Sequence, residues 1–200
     1  MLICGIDEAG RGPLAGPVVA AAVILREGAK IEGAADSKKL NENQRDEVFE
    51  RIISGAEDFS VGFAENTEID EFNILRATMK AMQRAVSGLS MKPDLYLIDG
   101  NYFRLDGGIE SNMNFKTIVK GDAIVHEISC ASIIAKVTRD RIMKQHHCTF
   151  PEYGFASNKG YPTKNHIEKI RSAGICSLHR VTFCRKFIMQ EMARDEQMHL

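Results

Sequence analysis

The first 25 residues constrain the fold of this chain more than any other segment. An apolar run over residues 2–7 ends on two adjacent carboxylates, Asp7 and Glu8, and a Gly-Arg-Gly turn follows at residues 10–12. A second apolar run, Val18–Leu25, is rich in β-branched residues, so the sequence predicts two buried strands with a short connection. An unpaired carboxylate is costly to bury, and a metal ion or a basic partner is the usual compensation. Because backbone amides and arginine bind phosphate, the segment predicts carboxylates, a metal ion and a phosphodiester in one place.

Length and composition indicate an ordinary globular protein. The chain has 200 residues, 44% hydrophobic and 26% charged, which fits one domain or one domain with a small appendage. No segment reaches the ~18 apolar residues of a membrane span, and the first six residues are too short for a signal peptide. None of the five cysteines forms a CxxC pair, which favours reduced thiols over a disulfide framework or a zinc site. We therefore expect a cytoplasmic protein with no membrane partner.

Charge is distributed unevenly along the chain. The formal net charge is −1, but residues 42–71 carry ten acids against two bases, and residues 159–187 carry seven bases against one acid. One interpretation is a basic face that binds phosphates on a protein that stays near neutral overall. The other is a pair of solvated helical surfaces of opposite sign, and charge alone does not separate the two.

Apolar patterning predicts a mixed sheet flanked by helices. Three strands in a meander joined by short connections are predicted at 2–7, 18–25 and 60–64, and two more at 94–100 and 117–119. Four helices are predicted: one capped by Asn41 with Gln44; one from Thr67 with Phe72, Leu75, Met79, Met82 and Val86 on its apolar face; one over 125–146; and one over 163–172. Strands and helices do not alternate strictly, so a mixed α/β sheet fits best. Residues from about 150 onward are expected to form a small helical extension.

Acids recur where predicted strands end. Asp7 and Glu8 end the first strand, Asp99 ends a later one and Asp122 follows another. Such positions can converge on one edge of a mixed sheet, and carboxylates with few histidines suit a hard cation such as Mg²⁺ or Mn²⁺. Each acid alone is also consistent with a helix cap or a turn, and Asp99-Gly100 is a common turn dipeptide. The combination with the glycine-rich turn is more specific and favours a metal site.

Seven sequence blocks follow one another along the chain. The first reads GIDEAGRGPLAGPVV at residues 5–19. The others are DSKKL at 36–40, NILRATM at 73–79, LIDG at 97–100, KGD at 120–122, ASIIAKVTRDR at 131–141 and GYPT at 160–163. In this order they resemble the blocks of type 2 ribonuclease H, the ribonuclease HII family. The resemblance spans about residues 2–187, and seven ordered blocks are far more specific than a lone acidic pair.

The resemblance implies a fold, an activity and a catalytic set. It implies a single ribonuclease H-like catalytic domain over residues 1–200, in which residues 150–200 form a small helical substrate-binding extension. The expected enzyme is a monomer that hydrolyses the RNA strand of RNA–DNA hybrids and incises 5′ of single ribonucleotides embedded in duplex DNA. The expected ends are 3′-hydroxyl and 5′-phosphate, and the expected cofactors are Mn²⁺ or Mg²⁺. Its metal-binding catalytic acids correspond here to Asp7, Glu8, Asp99 and Asp122.

The resemblance also assigns residues to substrate binding. It places Gly10, Arg11 and Gly12 at the ribonucleotide 2′-hydroxyl and its neighbouring phosphate, Tyr161 on the sugar, and Lys38, Lys39 and Asn73 at phosphates. From the residues alone, a turn that closes a strand, a Tyr-Pro turn and a solvated lysine pair explain most of these positions equally well.

Two side chains of the third predicted helix, Ser132 and Lys136, lie four residues apart on one face. They either contact phosphate or close the helix against the sheet, and we take Ser132 as a candidate substrate contact. Arg139, Asp140 and Arg141 are more typical of a surface ion-pair cluster than of a site.

Two other functions fit part of the pattern. Sugar kinase-like phosphotransferases also place an acid on a first strand beside glycines, but they usually need a second, duplicated domain that 200 residues hardly accommodate. A hybrid-binding module without activity predicts that one acid of the set is missing, whereas all four are present. Release of phosphate from a nucleotide would favour the kinase, and tight binding of a hybrid without a metal-dependent product would favour the module.

Overall fold

The computed structural model describes residues 1–34 and 40–188, and of residues 108–110 the backbone alone. The strands are β1 (Ile3–Ala9), β2 (Val18–Leu25), β3 (Ala56–Ala64), β4 (Leu95–Asp99) and β5 (Phe115–Ile118). The helices are α1 (Glu42–Gly55), α2 (Asn66–Ser87), α3 (His126–Thr149), α4 (Phe155–Asn158) and α5 (Lys164–Ala173), and short 3₁₀ turns occupy 106–112, 121–123 and 151–153. Residues 181–188 are also helical.

The five strands form one mixed sheet in the order β3-β2-β1-β4-β5. The β3-β2-β1 half is antiparallel and the β1-β4-β5 half is parallel, which confirms the predicted mixed sheet. The predicted meander is correct in its strand pairing but wrong in its connections, because α1 lies between β2 and β3. Strand β3 also begins four residues earlier than the apolar pattern indicated, at Ala56.

Helices cover both faces of the sheet and bury β2 completely. Alternate residues of β2 serve two cores: Ala20, Ala22 and Ile24 pack towards α2, and Ala21 and Val23 towards α1 and α3. This is why β2 reads as a continuous apolar run rather than as an alternating pattern. The helices approach closely where a side chain is absent. A Cβ on the β1 residue Gly5 would overlap the backbone of α3, and one on the β3 residue Gly62 would overlap that of α2.

Helix α2 is broken at Asn73, which has a left-handed φ of 67°. The Asn73 Oδ1 accepts hydrogen bonds from the amides of Leu75 (3.0 Å) and Arg76 (3.2 Å), so it caps the second half of the helix. The predicted apolar face is confirmed for Met79 and Met82, which are buried. It is wrong for Leu75, which is exposed because the break changes the helical phase there.

Residues 150–188 pack against the end of α3 and the connection between β1 and β2. A third apolar cluster holds them there and includes Leu14, Met143, Tyr153, Phe155 and Ile170. The expected helical extension is therefore present, with α4, α5 and the helical residues 181–188. Among the described residues no helix is long and apolar enough to cross a membrane.

Candidate active site

Parallel pairing of β1 and β4 brings two acids to the same edge of the sheet. The strands pair Ile6 with Ile98, so the next residue of β1 is Asp7 and the next residue of β4 is Asp99. Neighbouring strands lie about 4.8 Å apart, and equivalent positions of paired strands face the same side. Burial raises the pKa of Asp7, and the nearby Asp99 carboxylate raises it further. The position of Asp7 and Asp99 near the ends of their strands therefore correctly predicted that they lie at the same edge of the sheet.

The side chain of Asp7 is almost fully buried, at 5% exposure. Its Oδ1 accepts a hydrogen bond from the Glu8 amide at 2.7 Å, and the Ser132 hydroxyl on α3 donates another to the carboxyl group. These bonds do not offset the loss of hydration. Burial, followed by the charge of Glu8, holds the pKa of Asp7 well above its ordinary value, with Asp99 adding to the shift. The ionised form of Asp7 therefore favours a nearby cation.

Glu8 occupies the same edge and has a basic partner. Its Oε1 pairs with the Arg11 Nη1 at 3.1 Å, although the Arg11 side chain is half exposed. Burial raises the pKa of Glu8, Arg11 opposes that shift, and Asp99 adds to it. One guanidinium near the surface thus faces a group of several carboxylates, which leaves the edge strongly negative.

Asp122 reaches this edge through Asp99. The Asp99 Oδ1 accepts hydrogen bonds from the amides of Gly121 (2.6 Å) and Asp122 (3.4 Å), so the end of β4 anchors the 3₁₀ turn 121–123. A Cβ on Gly121 would lie 2.6 Å from the Ile128 Cδ1, which explains why the turn has no side chain there. The Ser129 hydroxyl on α3 fixes the turn from the other side by donating to the Asp122 carbonyl at 2.6 Å.

The four acids offer the oxygen ligands that Mg²⁺ and Mn²⁺ prefer. Within the described part of the chain no three His, Cys, Asp or Glu side chains already converge closely enough to hold an ion. The carboxylates instead repel one another, as the raised pKa values of Asp7 and Glu8 record after burial itself. A divalent cation would relieve both the repulsion and the burial cost, so Asp7, Glu8, Asp99 and Asp122 are the candidate ligands of such an ion.

The Gly-Arg-Gly turn lies beside these acids, directly after β1. Gly10 has a φ of +93°, and a Cβ there would overlap the Arg139 side chain, so this position requires glycine. Gly12 has an ordinary φ, and its added Cβ would lie 3.9 Å from the Tyr161 Cε1. The structure therefore brings the turn close to Tyr161, although they are about 150 positions apart in the chain.

Tyr161 presents a partly open aromatic face, with 39% of the residue exposed. The Lys136 Nζ and the Arg139 Cζ each lie 5.7 Å from its ring centroid. Cations beside the ring add to the positive potential near the turn. An aromatic surface next to a glycine-rich turn with an exposed arginine suits a sugar ring.

The interpretation of 139–141 as a surface ion-pair cluster is wrong for Arg139. Its side chain is fully buried and donates to backbone carbonyls, whereas Arg141 does form a surface pair with Asp46 at 2.9 Å. Asp140 pairs with Lys136 at 2.7 Å. The sequence does not show which of three consecutive charged residues on a helix is buried. Arg139 differs from its neighbours only because its hydrogen-bond partners come from distant segments of the chain. Arg180 escaped sequence reasoning for the same reason.

The remaining predicted substrate residues differ in where they lie. Asn73 lines a polar cleft of about 390 Å³ with Arg76, Tyr102 and Arg104, in which no described carboxylate pairs with either arginine. Lys38 and Lys39 fall outside the described residues. Ser132 contacts Asp7, so it lies at the acidic edge.

Known proteins match this chain over almost its whole length. A sequence profile of the ribonuclease HII family matches residues 4–186. Ribonuclease HII of Acetivibrio thermocellus is 54% identical over 188 residues, which are 94% of this chain and 72% of that protein. Ribonuclease HII of Shewanella loihica is 51% identical over 179 residues, 90% of this chain and 85% of that protein.

Solved structures show the same fold. The crystal structure of ribonuclease H2 from Pyrococcus horikoshii superposes with a TM-score of 0.79 at 30% identity, covering 96% of this chain and 99% of that one. The crystal structure of Bst-RNase HIII in complex with Mn²⁺ has a TM-score of 0.73 at 18% identity, covering 96% and 71% of the two chains. Neither the phosphotransferase nor the inactive binding module agrees with these relatives. The family profile over residues 4–186 and the relatives at 51% and 54% identity show that the chain belongs to the ribonuclease HII family. It is therefore a ribonuclease H.

Proposed function

We propose that this enzyme hydrolyses the RNA strand of RNA–DNA hybrids and also incises 5′ of single ribonucleotides embedded in duplex DNA. The observation that carries the second activity is the proximity of Gly12 to Tyr161, where a Cβ on Gly12 would lie 3.9 Å from the tyrosine ring. A site that reads one ribonucleotide needs a group for the 2′-hydroxyl and a surface for its sugar, next to the scissile phosphate. The turn and the tyrosine supply these in one place.

The turn has hydrogen-bond donors to offer. The carbonyls of Gly10 and Arg11 are taken by the Arg180 guanidinium, at 2.6 and 3.0 Å. The amides of Arg11 and Gly12 donate to no other described residue. Donors left free beside an exposed arginine suit a hydroxyl and a phosphate oxygen. We therefore assign the 2′-hydroxyl and its neighbouring phosphate to Gly10, Arg11 and Gly12, and the sugar face to Tyr161.

The four acids support metal-assisted hydrolysis as the reaction type. Mn²⁺ or Mg²⁺ held by Asp7, Glu8, Asp99 and Asp122 would supply an activated water and offset charge on the phosphate. The chain itself fixes Asp99 against the 121–123 turn and holds Asp7 in a nearly dry environment. Attack by water on the phosphorus, with departure of the 3′-oxygen, yields the 3′-hydroxyl and 5′-phosphate ends, whereas attack by a 2′-hydroxyl would leave a cyclic phosphate.

Binding of the duplex would extend beyond the acids to basic residues. The helical extension carries Tyr161 and the seven bases between 159 and 187, which supports its assignment as a substrate-binding part of a single catalytic domain. In addition, Asn73 lines its cleft with two arginines that have no described acidic partner. Such contacts position a duplex by its phosphates without reading sequence.

The test uses two end-labelled substrates, a duplex DNA with one ribonucleotide and a continuous RNA–DNA hybrid. Both are incubated with wild type, Asp99→Asn and the surface variant Asp46→Asn, with Mg²⁺, Mn²⁺ or EDTA. We expect metal-dependent cleavage of both substrates by wild type and Asp46→Asn, and its loss in Asp99→Asn. Cleavage of the hybrid alone would overturn the assignment of the turn and Tyr161 to a single ribonucleotide.

A further inference from the structure

Two arginines are buried beneath the Gly-Arg-Gly turn without an acidic partner. Arg139 on α3 and Arg180 after α5 are both 0% exposed, and neither forms an ion pair with a carboxylate in the described part of the chain. Burying a guanidinium without a counter-charge is costly, and burial lowers the pKa of both side chains. Every hydrogen bond of these guanidinium groups goes to a backbone carbonyl, so the carbonyls are what stabilises them.

Arg180 joins the two ends of the connection between β1 and β2. At its start, Nη2 donates to the Gly10 carbonyl at 2.6 Å and Nη1 to the Arg11 carbonyl at 3.0 Å. At its end, Nε donates to the Gly16 carbonyl at 3.0 Å and Nη2 to the Pro17 carbonyl at 3.2 Å. One planar group therefore fixes the shape of the whole connection.

Arg139 joins this connection to the segment that carries Tyr161. Its Nε donates to the Pro17 carbonyl at 2.9 Å, and its Nη1 donates to the Lys159 carbonyl, also at 2.9 Å. The Arg139 Cζ lies 5.7 Å from the centre of the Tyr161 ring. Arg139 thus joins the end of the connection that begins with the turn to the segment that carries the tyrosine.

The carbonyls and the amides of the turn differ in their partners. The Gly10 and Arg11 carbonyls accept hydrogen bonds from Arg180, whereas the amides of Arg11 and Gly12 have no described partner. We propose that Arg139 and Arg180 are positioning residues that set the spacing between the Gly10–Gly12 turn and Tyr161, and thereby the preference for a single ribonucleotide. This inference rests on the proposed function, since it requires that the turn and Tyr161 read that ribonucleotide.

Lysine keeps the charge but lacks the planar fork that bonds several carbonyls at once. In Arg139→Lys and Arg180→Lys the turn and the tyrosine would move relative to each other while the surface charge stays the same. Misplacement by about 1 Å costs on the order of 100-fold in rate. We expect kcat on the single-ribonucleotide duplex to fall by about 10- to 100-fold, kcat on the continuous hybrid to fall less, and the Kd for either duplex to change by less than about 3-fold.

The comparison needs a control for stability. Met82→Ala removes a buried side chain from α2, on the opposite face of the sheet from α3, and so destabilises the fold without touching the turn. All proteins are assayed at a temperature at which circular dichroism shows each of them folded. If a lysine variant does not fold, Arg139→Gln or Arg180→Gln replaces it, because glutamine keeps donors without burying a charge. The double variant Arg139→Lys/Tyr161→Ala measures whether the two side chains act together.

The inference predicts that kcat falls selectively on the single-ribonucleotide duplex. It also predicts that the kcat of the double variant is at least about 5-fold higher than the value obtained by multiplying the two single-variant reductions. It is overturned if the arginine variants cleave the single-ribonucleotide duplex within about 3-fold of wild type. It is also overturned if they lose activity on both substrates equally, if the destabilised but folded Met82→Ala shows the same selective loss, or if the double variant is additive. A wild-type enzyme that does not incise a single ribonucleotide would overturn the proposed function and this inference with it, whereas an active wild type with unaffected variants overturns the inference alone.

Discussion

The Asp99 carboxylate accepts a hydrogen bond from the Gly121 amide at 2.6 Å, so the residue that ends β4 also fixes the turn that carries Asp122. One side chain therefore has two roles, as a proposed metal ligand and as an anchor for a second ligand. A carboxylate that only bound metal would leave the 121–123 turn unaffected when it is replaced.

The two roles of Asp99 separate in two substitutions. Asn keeps an Oδ1 that can accept a hydrogen bond from the Gly121 amide. We therefore expect the unfolding free energy of Asp99→Asn to lie within about 0.5 kcal/mol of the wild-type value, and its kcat to be reduced at least about 100-fold. Ala removes the acceptor, so Asp99→Ala should lose the same activity and also about 1–2 kcal/mol of unfolding free energy. Urea unfolding with EDTA measures the difference, and equal stability of the two variants would contradict the anchoring role.

Burial of Asp7 predicts a pH-dependent stability in the absence of metal. The pKa of Asp7 is higher in the folded state than in the unfolded state. The protonated carboxyl group therefore contributes fully to folding stability below about pH 4, and this contribution is lost as the pH rises through the folded-state pKa. With EDTA at pH 7.5 we expect Asp7→Asn to be more stable than wild type by about 1 kcal/mol, or roughly 2–4 °C in Tm. The gap should close towards pH 4. A wild type as stable as Asp7→Asn at pH 7.5 would show that the carboxylate bears no burial cost.

Metal binding should reverse that order. A ligand at 100 times its Kd stabilises the folded state by about 2.7 kcal/mol, so Mn²⁺ should raise the Tm of wild type by several degrees. Asp7→Asn removes a ligand and should respond much less, while Asp46→Asn should respond like wild type. Thermal unfolding over a Mn²⁺ titration tests this, and equal shifts for wild type and Asp7→Asn would place the ion elsewhere.

The two glycines of the turn predict different outcomes. Gly10→Ala forces a side chain onto Arg139 at a φ of +93°, so we expect a loss of about 1–3 kcal/mol in unfolding free energy together with activity. The Cβ of Gly12→Ala meets Tyr161 at an ordinary 3.9 Å, so this variant should fold normally. It would nevertheless fill the space between the turn and the tyrosine, and kcat/KM for the single-ribonucleotide duplex should fall. Normal cleavage by folded Gly12→Ala would exclude that space as the ribonucleotide site.

The sequence predicted the sheet and the acidic edge because both depend on local patterns. Apolar runs marked the strands, and acids at their ends marked Asp7 and Asp99 as neighbours once the strands paired. The break at Asn73 was not predictable, because apolar spacings of three and four continue across it and a left-handed φ leaves no trace in the pattern. The roles of Arg139 and Arg180 were equally hidden, since their partners are backbone carbonyls that any residue supplies.

Incision mapping on a duplex DNA with one ribonucleotide tests the central claim most directly. Wild-type enzyme with Mn²⁺ or Mg²⁺ should produce a single nick immediately 5′ of the ribonucleotide, with 3′-hydroxyl and 5′-phosphate ends, and none with EDTA or on the matched all-DNA duplex. A nick on the 3′ side of the ribonucleotide, a cyclic phosphate end or cleavage without metal would contradict the account.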